Sequence, residues 1–366
     1  IKMKIPFFNY PELYRGHRDN LLKIFDDIAS KGAFIMQSEL QQFEEKLSKY
    51  VGGHVLGVGN ATDALELLFE AKEVKQGDEI IFCSHTMVAT ASAIKFAGAT
   101  PIPCEAGNDH LIDVSKIESL ITKKTRAIMP TQLNGRVAEM EEILNLSKKY
   151  NLEIFEDSAQ ALGARYKGQH AGTFGSGGCL SFYPAKILGC LGDGGAVICN
   201  DMDTFEKIKL LRDHGRAENG DVEFWGYNSR LDNIQAGFLN YYFQTYEETI
   251  SRRREIADIY FENLKDISQL TLPPSTSDLN HFDVFQNYEI QAEDRDNLKN
   301  YLQENDVGTL IQWGGKAVHQ FKKLGFTENL PFTEDLFTKL LMIPINMTIT
   351  DEEVNFVSNK IQEFYS

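Results

Sequence analysis

The chain has 366 residues, 42% of them apolar and 25% charged. These proportions exclude a disordered chain, a fibrous repeat and a disulfide-stapled mini-protein, and the length suggests two domains or three. Thirty-seven Lys and Arg stand against 53 Asp and Glu, a net charge of −16, so the chain is a poor general binder of nucleic acid or of an anionic membrane, and any anionic ligand must be held by local geometry.

In chain order, Ile1–Tyr10 lacks a basic region followed by an apolar core, so no signal peptide is expected. Residues 1–50 read as a polar helical segment that packs on a small domain or on a partner subunit. From residue 51 to residue 250 short apolar runs alternate with helical periods. Strands are expected at His54–Gly59, Glu79–Ser84, Thr100–Glu105, Arg126–Thr131, Leu152–Asp157, Cys179–Tyr183 and Ala196–Asn200. Most are continuous apolar runs, as in parallel strands covered on both faces. Between them, Ala61–Lys72 puts Ala61, Leu65, Leu68 and Phe69 on one helical stripe, and Glu139–Tyr150 turns Met140, Ile143, Leu144 and Leu146 inward. This is an α/β layer architecture with a mainly parallel sheet, whose ligands sit beyond the carboxyl ends of the strands. After Leu231 a long helical stretch runs to about Leu264. Residues 251–366 form a smaller α+β unit, with strands at Phe285–Ile290 and Thr309–Trp313, a helix at Arg295–Glu304, and a last helix opened by a Thr350–Glu353 capping box. Cys83, Cys104, Cys179, Cys190 and Cys199 are odd in number, form no C-x-x-C pair and mostly lie in apolar runs. They read as buried reduced thiols of a cytoplasmic protein, and no metal site is expected. No apolar window is long enough for a membrane span.

Four segments carry candidate chemistry. Asn60-Ala61-Thr62 joins a strand to a helix, where free N–H groups can hold an anion or Asn60 can simply cap. Asp157 ends an apolar strand in Glu156-Asp157-Ser158-Ala159-Gln160 and is either a cap or the partner of a buried cation. Lys186, in Ser181-Phe182-Tyr183-Pro184-Ala185-Lys186, follows a buried strand and precedes Gly189 and Gly192-Asp193-Gly194-Gly195. It is either a turn lysine or a desolvated amine that attacks carbonyls. Gly226-Tyr227-Asn228-Ser229-Arg230 is a polar loop or a site loop. Gly175-Ser176-Gly177-Gly178 precedes a strand and has the wrong spacing for a dinucleotide fingerprint. A phosphate cradle, an acid for a pyridine nitrogen and a lysine for an aldehyde together fit pyridoxal 5'-phosphate.

In the order and spacing of these segments, and in Ile5-Pro6-Phe7, Gly77-Asp78-Glu79-Ile80-Ile81 and Pro344, the chain resembles the DegT-like sugar-nucleotide aminotransferases over essentially its whole length. The resemblance implies the fold-type I architecture: a mainly parallel seven-stranded sheet flanked by helices, plus a smaller α+β C-terminal domain. It implies that Lys186 bonds the cofactor's aldehyde, Asp157 keeps the pyridine nitrogen protonated, and Gln160 binds the phenolic oxygen. Ala61, Thr62 and Ser181 then hold the phosphate, Asn228 reaches the phosphate of the other subunit in a homodimer with shared active sites, and Met87 lies over the ring. The chain departs from the family pattern at Ala61, usually glycine, at Met87, usually aromatic, at Gln132-Leu133-Asn134-Gly135, and in Ile311-Gln312-Trp313-Gly314-Gly315-Lys316-Ala317-Val318-His319.

The implied reaction takes an amino group from L-glutamate to a keto sugar on a nucleoside diphosphate, for amino sugars of a lipopolysaccharide O-antigen or similar glycan. Amination of dTDP-4-keto-6-deoxy-D-glucose at carbon 4 leads, carbon-3 amination of a 3-keto isomer is second, and a non-catalytic cofactor-binding regulator is the reading from another class. His214, Arg216, Arg230, Lys316 and His319 are the cations available for the diphosphate. Lys316 and His319 can converge on it if their segment is helical, with Trp313 a flat wall beside them for a sugar or base, or else part of the core.

Overall fold

In the computed structural model, which describes residues 3–366, the expected apolar runs become strands β1 His54–Val58, β2 Glu79–Cys83, β3 Thr100–Cys104, β4 Thr125–Met129, β5 Glu153–Asp157, β6 Gly177–Ser181 and β7 Gly195–Cys199. Ile1 and Lys2 of the expected N-terminal segment lie outside the described residues. The strands form one sheet in the order β1-β7-β6-β5-β4-β2-β3. All neighbours are parallel except β7, which runs antiparallel to β1 and β6. Pro101 and Pro103 are tolerated in β3 because it is an edge strand.

Successive residues of each strand feed opposite layers, as a two-residue period requires. On β5, Ile154 joins Phe43, Leu47, Ile143 and Leu180 on one face, while Phe155 joins Leu65, Leu68, Phe69 and Phe82 on the other. The run Gly175–Gly178 is a packing device. A Cβ at Gly175 would lie 2.3 Å from the Ile154 carbonyl oxygen, and one at Gly178 would lie 2.8 Å from that of Glu156. All five cysteines are buried free thiols. Among the described residues no helix is long and apolar enough to cross a membrane.

A second core gathers Ile256, Tyr260, Tyr288, Ile290, Leu341, Val354 and Ile361 around the antiparallel strands Leu270–Thr271, Tyr288–Ala292 and Leu340–Ile343. The closing helix Asp351–Tyr365 has its capping box: Thr350 Oγ1 accepts from Glu353 N, and Thr350 N donates to Glu353 Oε2.

Several expectations are corrected. Thr309–Trp313 is not a strand: Trp313 (φ 49°) and Gly314 (φ 68°) take left-handed conformations inside a tight turn over Gln312–Gly315, and only Leu310 bridges to Met342. The strand expected at Phe285 starts at Tyr288, because Phe285 is itself left-handed (φ 50°). The helical stretch to Leu264 breaks at Gln244–Thr245 into Asn233–Phe243 and Tyr246–Leu264. Leu144, expected inward, is exposed. The N-terminal helices Tyr10–Ala29 and Ser38–Val51 pack on Asn233–Phe243, beside the large sheet, while the segment before them lies on the C-terminal unit: Ile5 bridges Val307, Asn346 Nδ2 donates to Pro6 O and Phe7 O, and Asn9 Nδ2 donates to Thr348 Oγ1.

These contacts predict contrasting costs. Gly175→Ala forces β5 and β6 apart and should destabilise by more than about 2 kcal/mol, as overpacking at backbone does. Thr350→Ala, which loses only a cap, should cost about 1 kcal/mol. Urea denaturation of both variants checks the ranking.

Candidate active site

β5 delivers Asp157 to the carboxyl edge of the sheet, with Cys179 of β6 as its Cα partner. The carboxylate is buried, so it needs donors. Its Oδ1 accepts from Ala159 N (3.2 Å) and Cys179 Sγ (3.3 Å), and its Oδ2 from Thr90 Oγ1 (2.5 Å). Thr90 has given its one hydrogen to Asp157, so it accepts from Thr86 Oγ1 at 2.7 Å, and Thr131 Oγ1 donates to Thr86 at 3.0 Å. Three hydroxyls thus form a one-way chain ending on Asp157. These donors meet the need of a buried carboxylate. Thr86 and Thr90, four residues apart at the start of the helix Val88–Phe96, were legible as a same-face pair but carry no motif of their own.

The chain beyond β6 turns back through Pro184 and Ala185, so Lys186 comes within electrostatic reach of Asp157 and Cys179. Burial lowers the Lys186 amine below the ordinary lysine value, with Asp157 and then Cys179 working against that shift. Its Nζ makes no hydrogen bond or ion pair among the described residues. Lys186 lines a cavity together with Gln160 and Ser181, and on its other side a cleft of about 590 Å³ walled by Phe7, Phe8, Tyr10, Arg253 and Asn287.

Asn60 caps the helix Ala61–Ala71 by accepting from Asp63 N at 2.8 Å. The N–H groups of Ala61 and Thr62, in the helix's first turn, have no acceptor inside it. β7 passes close beneath this turn, where a Cβ at Gly195 would fall 2.4 Å from Asn60 C and 2.6 Å from Ala61 N. Ser229 ties the loop before Leu231 to the same turn, accepting from Gly59 N (3.0 Å) and donating to Asp63 Oδ2 (2.5 Å). Its neighbour Asn228 is exposed, and so is Met87.

Gln160 is held by a network that the sequence reading did not find. Its Oε1 accepts from Asn134 N at 2.8 Å, leaving its amide hydrogens free of partners among the described residues. Asn134 Nδ2 donates to Glu289 Oε1 (3.0 Å), and Asn134 Oδ1 accepts from Asn287 Nδ2 and Gln312 Nε2 (both 2.9 Å). Glu289 also binds His110 Nδ1 (2.9 Å) and Gln312 Nε2 (2.8 Å), and faces His85 Nε2 at 3.5 Å. Burial opposes the charge of Glu289, yet His85, His110 and Gln312 outweigh it and hold the carboxyl down to about 2. A lone Glu in a strand gives no sequence signal for such a hub, because its partners lie 155 and 179 residues away in Asn134 and His110.

Of the cations expected at a diphosphate, two are brought together, but on a carboxylate. Arg216 and Arg230 both bind Asp213, at 3.0 Å and 2.7 Å. His214 and Lys316 are exposed. His319 is wholly buried, with Nδ1 2.7 Å from Ser84 Oγ and Nε2 3.1 Å from Glu334. Its expected convergence with Lys316 is therefore corrected: the intervening backbone at Lys316 and Ala317 is extended, so the two side chains do not share a helical face. Trp313 is half-buried, edge-on to His85 at 5.4 Å between centroids.

The residues present fit pyridoxal phosphate. An unpartnered desolvated amine suits its aldehyde, a buried carboxylate with a lone pair left on Oδ2 suits its ring nitrogen, and an open helix start suits its phosphate.

Comparison with known proteins agrees with this. Residues 17–362 match the DegT/DnrJ/EryC1/StrS aminotransferase family. The dTDP-3-amino-3,6-dideoxy-alpha-D-galactopyranose transaminase of Aneurinibacillus thermoaerophilus is 35% identical over 98% of this chain and 99% of its own. A pleiotropic regulatory protein of Geobacillus stearothermophilus is 33% identical over 99% of both chains. Among solved structures, S. venezuelae DesV in complex with a ketimine intermediate is similar over 99% of both chains, with a TM-score of 0.94 and 32% identity.

The Glu289 hub predicts an acid-sensitive seam. Its folded-state value lies below the ordinary glutamate value of 4.5, so its contribution to stability is present above that value and is lost as pH falls toward about 2. Glu289→Gln should flatten that part of the curve of unfolding free energy against pH, measured by denaturant titration from neutral to acid pH. An unchanged slope would remove Glu289 from this role.

Proposed function

Because the chain belongs to the DegT/DnrJ/EryC1/StrS aminotransferase family, whose members use pyridoxal phosphate, we propose that it transfers an amino group from L-glutamate to the keto group of a nucleotide-linked deoxysugar. The observation that carries this reading is the desolvated, unpartnered Lys186 amine within reach of the buried Asp157. Bound pyridoxal phosphate supplies an electron sink and a carrier for the amino group.

The chain's own residues do the rest. The lowered Lys186 amine is neutral more readily than an exposed lysine, which suits it to attack an aldehyde and, once displaced by the amino donor, to carry a proton to or from the substrate carbon. Asp157, held by Thr90 Oγ1, Cys179 Sγ and Ala159 N, would pair with the protonated ring nitrogen. Gln160, its oxygen already taken by Asn134 N, turns donor hydrogens to the phenolic oxygen. The open N–H groups of Ala61 and Thr62, with the Ser181 hydroxyl, hold the phosphate. Met87 covers the ring by a thioether, and Asn228 serves the phosphate of a second copy in a homodimer. Both are exposed, as contributions to an open ring face and to a neighbour require. His214 and Lys316, exposed and without acidic partners among the described residues, are the cations available to a diphosphate, with Trp313 three residues before Lys316. The reaction takes place in the cytoplasm, where nucleotide sugars are made.

For the sugar, the likeness of Gln312-Trp313-Gly314-Gly315-Lys316 to the carbon-4 enzymes of the family supports amination of dTDP-4-keto-6-deoxy-D-glucose at carbon 4. A second reading, amination at carbon 3, is supported by the product named for the A. thermoaerophilus relative. Incubation with L-glutamate and a panel of nucleotide keto sugars, with NMR of the product, decides between them. If no sugar of the panel is aminated, the reading fails.

Borohydride reduction of the holoenzyme should fix the cofactor to the peptide containing Lys186, and Lys186→Ala should abolish the adduct. A full-level adduct in that variant would assign another lysine.

Asp157→Asn should leave the fold intact and cut turnover by at least about a hundredfold, since a buried charge partner is worth several kcal/mol. Steady-state kinetics beside circular dichroism measures this, and near-normal turnover would sink the role.

A further inference from the structure

The residues that face Lys186 do not explain what fixes its backbone. The lysine sits in the connection between β6 and β7, where its own N–H donates to Tyr183 O at 2.8 Å. The peptide groups on either side are both taken by a single side chain from the C-terminal unit. Ile187 N–H donates to Gln286 Oε1 at 2.9 Å, and Gln286 Nε2 donates to Ala185 O at 2.8 Å. One buried carboxamide therefore brackets the lysine from about a hundred residues away.

Gln286 is held in turn. Its neighbour Phe285 has φ 50°, a left-handed conformation that is strained for an aromatic residue. Arg253 holds that turn: its Nε donates to Phe285 O and its Nη2 to Gln286 O, both at 2.8 Å. Arg253 is buried with no acidic partner among the described residues, and burial pushes its guanidinium down to about 10. On the other side Gly135 closes the gap, since a Cβ there would lie 2.7 Å from Gln286 N and 2.8 Å from Phe285 N. A charged group buried to hold two carbonyls of a strained turn is costly, and what that turn presents is the carboxamide of Gln286.

We propose that Gln286 is a positioning residue for Lys186: it fixes the peptide planes on both sides of the lysine, so that the seating of the C-terminal unit sets where the amine reaches. The inference rests on Lys186 being the cofactor-bearing lysine. Gln286 touches no reacting atom and acts through the lysine alone. A carboxamide suits this task because one planar group must donate to a carbonyl and accept from an N–H. Glutamate would keep the bond from Ile187 but set a carboxylate against the Ala185 carbonyl. Methionine would keep the volume and lose both bonds.

The test uses the holoenzyme and Gln286→Met, with Gln286→Glu as a second variant should the first not fold. Three quantities are measured: amide exchange at Ile187, the rate of the glutamate half-reaction against the glutamate concentration at half-saturation, and the melting temperature. Exchange should accelerate and the half-reaction should slow, each by about tenfold or more, while half-saturation stays within about twofold, because loss of alignment lowers rate without removing donor contacts. The melting temperature should move by only a few degrees. Faster exchange with an unchanged half-reaction would overturn the proposal, as would parallel loss of rate and donor affinity with a collapsed melting temperature. Borohydride mapping of the same samples separates this from the underlying reading: an adduct on a lysine other than Lys186 in the unmutated enzyme refutes the site assignment itself, whereas an adduct on Lys186 with an unaltered half-reaction rate in the variants refutes only the role of Gln286.

Discussion

A carboxylate and an amine that must both work while largely out of water set the terms for the rest of this molecule. Burial lowers the Lys186 amine, and the buried carboxylate of Asp157 must be given donors. The carboxylate is kept by the hydroxyl chain Thr131-Thr86-Thr90, by the Cys179 thiol and by a backbone N–H. The amine is given no such support and is accordingly lowered. The asymmetry is useful. A carboxylate with several donors beside an unpartnered amine gives the two groups different surroundings on one sheet edge.

The second constraint is that the site lies at a seam. Residues of the large sheet supply Asp157, Ser181 and Lys186, while Gln286, Asn287, Glu289 and Gln312 of the C-terminal unit hold Lys186, Asn134 and Gln160 from behind. Polar networks buried between two packed bodies are valuable only when their members are satisfied. Glu289 accepts from the His110 imidazole and from the carboxamides of Asn134 and Gln312, while His85 Nε2 faces it at 3.5 Å without a hydrogen bond. Such a seam fixes the relation of the two bodies at their most polar point, so the precision of the site is a property of their packing and not of either alone.

Charge works differently. A chain of net charge −16 has little long-range attraction for a diphosphate. Two of the arginines nearest the open loop share Asp213, and His319 is enclosed between Ser84 and Glu334. The groups left open to an anion are the N–H groups at the start of the helix Ala61–Ala71 and the exposed His214 and Lys316.

The sequence by itself determined what depends on local pattern. Continuous apolar runs specified the seven strands to within about two residues, because a strand covered on both faces must be apolar throughout. The Thr350–Glu353 box and the Arg295–Glu304 helix follow from local capping and period. The segments around Asp157 and Lys186 stood out because charged residues at or just past the ends of apolar strands fall on the edge of the sheet where ligands of such folds sit. What only tertiary structure decided is everything that needs partners distant in sequence. The reversed direction of β7, the left-handed turns at Phe285 and Trp313, the enclosure of His319, the hydroxyl chain and the Glu289 hub have no local signature. The bracket around Lys186 is the clearest instance. A glutamine followed by an asparagine and a tyrosine has no marked local preference, and its meaning arises only when the fold brings the carboxamide of Gln286 against the two peptide groups beside Lys186.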